Sequence, residues 1–387
     1  MYPEINVSVD EFTIVLHPES DFDLKEWTLY SAEIIHVFEE KSGVIQLFGE
    51  RNKLDRPPQG YKTAYTYGAH PFYFAIAFHE NYVKMGVIIK FSALAWSFYQ
   101  QFYLDQFKQD IHVFQFIQTV QCKDLYLVRL SRFDLAIDYL NFEVEVDSLY
   151  KDLTSEPKRL IIKNINNRIN NSVISGLMKN NVNNTMYIGS RKRNVNTLLR
   201  IYDKKLEQIE TNGYFLKQAL EYKSWIRFEV VFKGNYAHQI TDRLNDIINA
   251  DLYENYLINL FLEKYQFYQV KNDELILHPI SDVLFKILKK EIPDKTLYSP
   301  RPSNNDLVAN LLYIIKGSGL LPILYKVEQI WGNDQINLLF EFIYYIYKNQ
   351  FNPNNDHRRW FEKNSNTLRK DTFADILNST FELMNEE

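Results

Sequence analysis

TMYIGSRKRNVNTLLRIYDKKLE (residues 185–207) reads as two strands joined by a turn. TMYIGS and TLLRIYDKK alternate in polarity, and the six residues between them, RKRNVN, are almost wholly polar. That spacing predicts an antiparallel hairpin with a basic tip at Arg191, Lys192 and Arg193. Residues two apart on a strand share a face. Leu198, Arg200, Tyr202 and Lys204 therefore leave the backbone on one side, and Leu199, Ile201 and Asp203 on the other.

Two more segments show the same asymmetry. In SRFDLAIDYL (131–140), Phe133, Leu135, Ile137 and Tyr139 form an apolar face opposite Arg132, Asp134, Ala136 and Asp138. In SWIRFEVVFK (224–233), Ile226, Phe228, Val230 and Phe232 lie opposite Trp225, Arg227, Glu229 and Val231. Three such strands predict a sheet with one face packed on helices and the other bearing charge. An alternating strand with a solvated face is also the commonest antiparallel design, and cross-strand Arg–Asp pairs need no function.

Further strands are expected at EFTIVLHP (11–18), AEIIHVFEE (32–40), GVIQLFGE (43–50), FYFAIAFHE (72–80) and KMGVIIKF (84–91), with ALAWSFYQQFYLDQF (93–107) helical in period. One helix is expected over about 145–178 and a long amphipathic one from Ala237 to Tyr268. Beyond about 271 the pattern turns helical, and PDKTLYSPRPSNND (293–306) resembles a linker. The expected class is α+β: residues 1–270 form a mixed or antiparallel sheet with helices on one face. Its core spans about 125–235, and an all-helical domain follows at 271–387.

The apolar fraction of 46%, with 27 Tyr and 27 Phe among 387 residues, is enough to fill real cores. A single cysteine, Cys122, excludes an internal disulfide and suits a reducing compartment. MYPEINVSVDEF resembles no secretory signal, and LLFEFIYYIY (338–347) is too short for a membrane span and holds Glu341, so a cytoplasmic protein is expected. The net charge of −5 conceals a local excess. Residues 157–205 carry eleven Lys or Arg and one acid, Asp203, a charge of +10 that leaves −15 for the rest. A basic stripe beside an acidic body is what a phosphate-tracking groove requires, although a solvated basic surface has the same composition.

The charged strand faces together offer Asp134, Asp138 and Glu229. Three neighbouring carboxylates need cations or a metal to ionise, and oxygen-only ligands suit Mg²⁺ or Mn²⁺. A tyrosine beside such a site, flanked by Arg200 and Lys204, is a candidate nucleophile for phosphoryl transfer. Its phenol is protonated at neutral pH; nearby cations are expected to lower its pKa, with a carboxylate accepting the proton.

The order RFDLAIDYL, YIGSRKRNVNTLLRIYDKKLE, WIRFEVVFK resembles the Rep_trans family, which comprises replication initiators of rolling-circle plasmids and related relaxases of integrative elements. The resemblance covers about 125–235, and RIYDKK is its most specific part. The turn RKRNVNT is longer than the family pattern, and SWIRFE has an extra Ile between Trp225 and Arg227. The resemblance implies that Tyr202 is the nicking tyrosine, assisted by Arg200 and Lys204, and that Asp134, Asp138 and Glu229 hold the metal. It further implies a 5′-phosphotyrosine intermediate on origin DNA, a single-stranded nick site, a homodimer and a recruited host helicase. Arg132, Arg191, Lys192, Arg193, Lys205 and Arg227 are the residues expected to hold DNA, and HRRWFEKNSNTLRK (357–370) is either a base-reading helix or a solvated helix end. No His-x-His pair and no G-x-x-x-x-G-K-[ST] is present, so neither a histidine nuclease centre nor a built-in P-loop motor is expected. A conjugative relaxase, a water-activating metal nuclease and a non-catalytic binding protein remain the alternatives.

Overall fold

The computed structural model describes residues 3–19, 24–179, 181–191, 195–272, 274–289, 294–297, 305–353, 355–369 and 372–385. Its strands are β1 (Glu4–Pro18), β2 (Arg51–Lys53), β3 (Thr63–Tyr67), β4 (Phe74–Phe78), β5 (Val87–Phe91), β6 (Tyr126–Leu140) and β7 (Leu160–Lys163), followed by β8 (Ile174–Lys179), β9 (Val182–Ile188), β10 (Thr197–Asp203), β11 (Trp225–Lys233), β12 (Gln266–Lys271) and β13 (Glu274–Leu277). Ten of them form one sheet in the order β2-β3-β4-β5-β1-β6-β11-β10-β9-β8, and β13-β12-β7 form a second. Each described pairing is antiparallel. The hairpin expected at 185–205 is β9 and β10, with Tyr187 opposite Arg200 and Thr185 opposite Tyr202.

The apolar faces of the central strands behave as their alternation requires. Phe133, Leu135, Ile137 and Tyr139 of β6 are fully buried, as are Phe228, Val230 and Phe232 of β11 and Leu199 and Ile201 of β10. They share one core with Ile240 and Leu244 of the helix Asn235–Asn245 and with Leu257 and Phe261 of the helix Ala250–Lys264. Fully burying each such side chain stabilises the fold by about 1.5–3 kcal/mol.

Several local expectations are corrected. AEIIHVFEE lies in a helix, Leu24–Ser42, and GVIQLFGE in another, Val44–Phe48. Trp27, Ser31, Ile34, Ile35 and Phe38 are buried at spacings of three and four, a helical period that outweighs the local β-branched content. The helix expected over 145–178 is only Val146–Thr154, and β7 and β8 come after it. The asparagines break it: the Asn164 side chain accepts from the backbone N–H of Asn166 and Arg168, and Asn167 and Asn181 adopt left-handed φ values of 58° and 62°. The long helix expected from Ala237 to Tyr268 is two helices and part of β12. Asn249 N-caps the second helix by accepting from the Leu252 N–H.

The chain divides into two compact units at 298/299. The first runs past the boundary expected near 270 because β12–β13 and the helix Pro279–Leu288 belong to its core, where Ile280 and Leu284 are fully buried. Within the second, the helices are Asn305–Leu312, Leu320–Trp331, Asp334–Asn349, Asn355–Leu368 and Phe373–Asn385. No helix among the described residues is long and apolar enough to cross a membrane.

Candidate active site

Register aligns the charged faces of the central strands in rows. Asn6, Asp138, Arg227, Tyr202 and Thr185 lie opposite one another across β1, β6, β11, β10 and β9. The next row holds Ser8, Ala136, Glu229, Arg200 and Tyr187, and the one after it Asp134, Val231 and Leu198. Two residues of strand rise, about 7 Å, separate successive rows. The rows bring Tyr202, Arg200, Glu229, Arg227 and Asp138 together as expected.

Tyr202 is only 3% exposed. Its hydroxyl donates to Glu229 Oε2 at 3.4 Å, and the Arg200 guanidinium lies 4.0 Å from its ring centroid. Burial pushes the phenol well above its ordinary pKa; Arg227 and Arg200 pull it down, while Glu229 and Asp10 add to the rise. The expectation that flanking cations lower this pKa is therefore not met, because desolvation of the phenolate outweighs them. Lys204 opens the helix Lys204–Thr211, 5.7 Å from the same ring, and its ammonium pairs with Glu207 at 2.7 Å.

The charged face is buried rather than solvated. Asp134 is 1% exposed and accepts two hydrogen bonds from Arg132, at 2.9 and 2.6 Å. Asp138, equally buried, accepts two from Arg227, at 2.7 and 2.8 Å. Each arginine reaches a second acid that the strand reading overlooked: Arg132 reaches Glu11 at 2.6 Å, and Arg227 donates to Asp10. Burial pushes the Asp134 carboxyl up to about 7 against the pull of Arg132.

Asp10 and Glu11 enter through a β-bulge. The β1–β6 register shifts between Val9 and Phe12, so two β1 residues project where one would normally stand. The signal is present in VSVDEFTIVL: buried positions run Val9, then Phe12, Ile14 and Leu16, changing parity across the acidic pair. Only that break in alternation could have revealed them.

Oxygen donors for a divalent ion are best supplied by Glu229 and Asp10. Glu229 has one long ion pair, 3.7 Å to Arg200, besides its contact with Tyr202. Burial, then Asp10, raises its pKa, against Arg200, Arg227 and Arg132. Asp10 uses Oδ1 toward Arg227. Five carboxylates (Asp10, Glu11, Asp134, Asp138, Glu229) thus face three guanidiniums, with Lys90 3.7 Å from Glu11. An acidic excess of this kind fits an added hard cation. Asp134 and Asp138, expected as ligands, are instead held by arginines. Among the described residues no group of three or more His, Cys, Asp or Glu is arranged to hold a metal.

A cavity of about 220 Å³ adjoins this cluster, lined by Arg132, Arg191, Arg200 and Lys233 around Glu229. Arg200 Nε is buried there without a hydrogen-bond partner among the described residues, and the Arg191 guanidinium lies 5.1 Å from the Tyr187 ring. Lys205 is not brought to the site: it donates to the carbonyls of Tyr222 and Lys223 and so ties down the approach to β11. Lys192 and Arg193 lie outside the described residues.

Residues 128–278, from β6 through β13, match the family model described as replication initiation factor, Rep_trans. Among solved structures, the rolling circle replication initiator protein from Geobacillus stearothermophilus has a similar fold, with a TM-score of 0.50 and 14% sequence identity over 76% of this chain and 100% of that one. No curated protein matches the chain.

Proposed function

We propose that this chain, whose residues 128–278 match the replication initiation factors, nicks and rejoins DNA at a replication origin through Tyr202. The observation that carries the reading is the Tyr202–Glu229 contact at 3.4 Å, set between Arg200 and Arg227 inside the matched segment. The Tyr202 oxygen attacks the scissile phosphorus while its proton passes to Glu229. The phosphorus–O3′ bond breaks, leaving a 5′-phosphotyrosine and a 3′-oxygen that takes up a proton. That 3′-OH primes a host polymerase, and a second attack by a 3′-OH restores the phosphodiester and frees the tyrosine.

Arg200 and Arg227 face the charge that develops on the phosphoryl oxygens, and Lys204 supports the tyrosine from the adjoining helix. Glu229 and Asp10 would hold Mg²⁺ or Mn²⁺, with Asp138 keeping Arg227 in place behind them. When bound, the ion polarises the phosphate and offsets its charge. Arg132, Arg191 and Lys233 hold the DNA backbone. The family resemblance supports a cytoplasmic homodimer working with a host helicase. Exposed Leu338, Phe342 and Tyr345 on the helix Asp334–Asn349 offer apolar area that pairing would cover.

One observation favours a second reading. A tyrosine 3% exposed must be uncovered before it can attack, whereas Glu229 could activate water with Tyr202 left in place. A denaturing gel of labelled single-stranded origin DNA with Mg²⁺ separates the two. The proposal predicts a slow-migrating covalent adduct that EDTA abolishes. Free cleavage without adduct supports the nuclease, and neither product supports a binding protein. The same chemistry would serve a conjugative relaxase.

A further inference from the structure

On the opposite side of Arg227 from the basic cavity lies a second cavity of about 420 Å³, within the range of small-ligand sites, about 300–1,000 Å³. β11 connects the two: Trp225 and Arg227 line one, and Glu229, Val231 and Lys233 line the other. Their chemistry differs. The basic cavity has four cationic side chains against Glu229. In the larger one the charges cancel, Arg227 and Lys204 against Asp10 and Asp138, and all four are already in ion pairs. Such a wall has no net charge to attract a phosphate and accepts an uncharged polar group.

The remaining lining suits such a group. Asn6, Ser8, Ser97 and Gln218 line the cavity, and none has a side-chain hydrogen bond among the described residues. Trp225 is 4% exposed, and its indole N–H is buried without an acceptor among the described residues, a state that costs about as much as a missing hydrogen bond. Tyr214, 62% exposed, also lines the cavity, and its ring is backed by Phe98 at 4.8 Å and Phe215 at 5.2 Å. A braced, exposed aromatic beside unpartnered amides and hydroxyls is how proteins hold an unstacked base: the ring stacks on it and the amides read its edge.

We propose that this cavity binds a nucleobase next to the scissile phosphate, so that base recognition at the nick resides in the first unit. The inference rests on Tyr202 being the nicking residue, since that fixes which phosphate lies between the two cavities. The DNA backbone then runs along β11 from the basic cavity past Tyr202, with one base turned out into the neutral one.

The test is a titration of the full chain with ¹⁵N-labelled tryptophan, the Trp225 indole signal being assigned by Trp225→Phe among the five tryptophans. The probes are single-stranded hexamers of dA, dC, dG or dT, and an abasic hexamer with the same phosphates. At least one base-bearing hexamer should move the Trp225 signal and bind about 10-fold tighter than the abasic one. The Tyr214→Ala/Gln218→Ala variant, altered only at exposed positions, should melt like wild type and lose that preference. Arg191→Gln should weaken all hexamers equally. The inference is overturned if no hexamer moves the signal, if the abasic hexamer moves it as far, or if the double variant keeps the preference. The titration needs no cleavage, so a failure of the nicking reading would show separately, as a wild-type protein that forms no adduct.

Discussion

Glu229 is the residue on which the chemistry turns, because among the described residues it is the one that accepts from the Tyr202 hydroxyl. Burial and Asp10 raise its pKa above the ordinary 4.5. A base must be ionised to accept a proton, so adduct formation should fall as pH is lowered through that raised value. Glu229→Gln keeps the shape of the side chain and should remove the adduct while DNA affinity stays within about twofold. Loss of binding together with activity would assign Glu229 a folding role. Tyr202, Arg200 and Glu229 were legible in the sequence because alternation places them on one face. Asp10 was not: its partner Arg227 is 217 residues away, and no local pattern links them.

Strands with two contrasting faces were the most legible elements. β6, β10 and β11 combine an apolar core face with a charged one, and antiparallel register then fixes which side chains meet. The elements misread were those where composition and period conflict, such as the helix Leu24–Ser42, with Ile34, Ile35 and Val37 close together, and the asparagine turns after Thr154. That the charged face is buried could not be read from one strand, since its cover comes from Asp10, Glu11 and residues of other elements. The β9–β10 hairpin carries its own prediction. Arg191 in the hairpin turn and Lys233 at the end of β11, whose N–H donates to the Asn196 carbonyl of that turn, both line the basic cavity. Replacing both by Gln should lower the slope of log affinity against log salt for single strands by about 1.4, roughly 0.7 for each phosphate no longer neutralised. An unchanged slope, measured by anisotropy over a salt titration, would remove this cavity from the DNA path.

At the scale of the whole chain, the first unit should fold without the second. Its core residues run from Val9 to Leu297. Its last described segment is anchored: the buried Glu263 carboxylate accepts from the Thr296 and Leu297 N–H groups at 2.8 and 2.9 Å and from the Thr296 hydroxyl at 2.8 Å. A chain ending at 298 should melt cooperatively and still form the adduct on single-stranded DNA. A chain ending at 270 loses Ile280, Leu284 and these partners of Glu263. Leaving a buried carboxylate unpaired costs about 3–5 kcal/mol, so the shorter chain should be unfolded or aggregated. Equal melting of the two would place the end of the unit near 270. The boundary was hard to read because β13 and the helix Pro279–Leu288 share the helix-rich composition of the second unit.

The central claim is that the Tyr202 oxygen becomes bonded to DNA. The most direct measurement is peptide mapping by mass spectrometry of the adduct trapped on single-stranded origin DNA with Mg²⁺, for wild type, Tyr202→Phe and Tyr187→Phe. The account predicts a nucleotide-modified peptide containing Tyr202 in wild type and Tyr187→Phe. Tyr202→Phe should give no adduct, with DNA affinity within about twofold of wild type, because a nucleophile has no substitute whereas the ring and its packing remain. An adduct mapped to Tyr187, or one that persists in Tyr202→Phe, would contradict it.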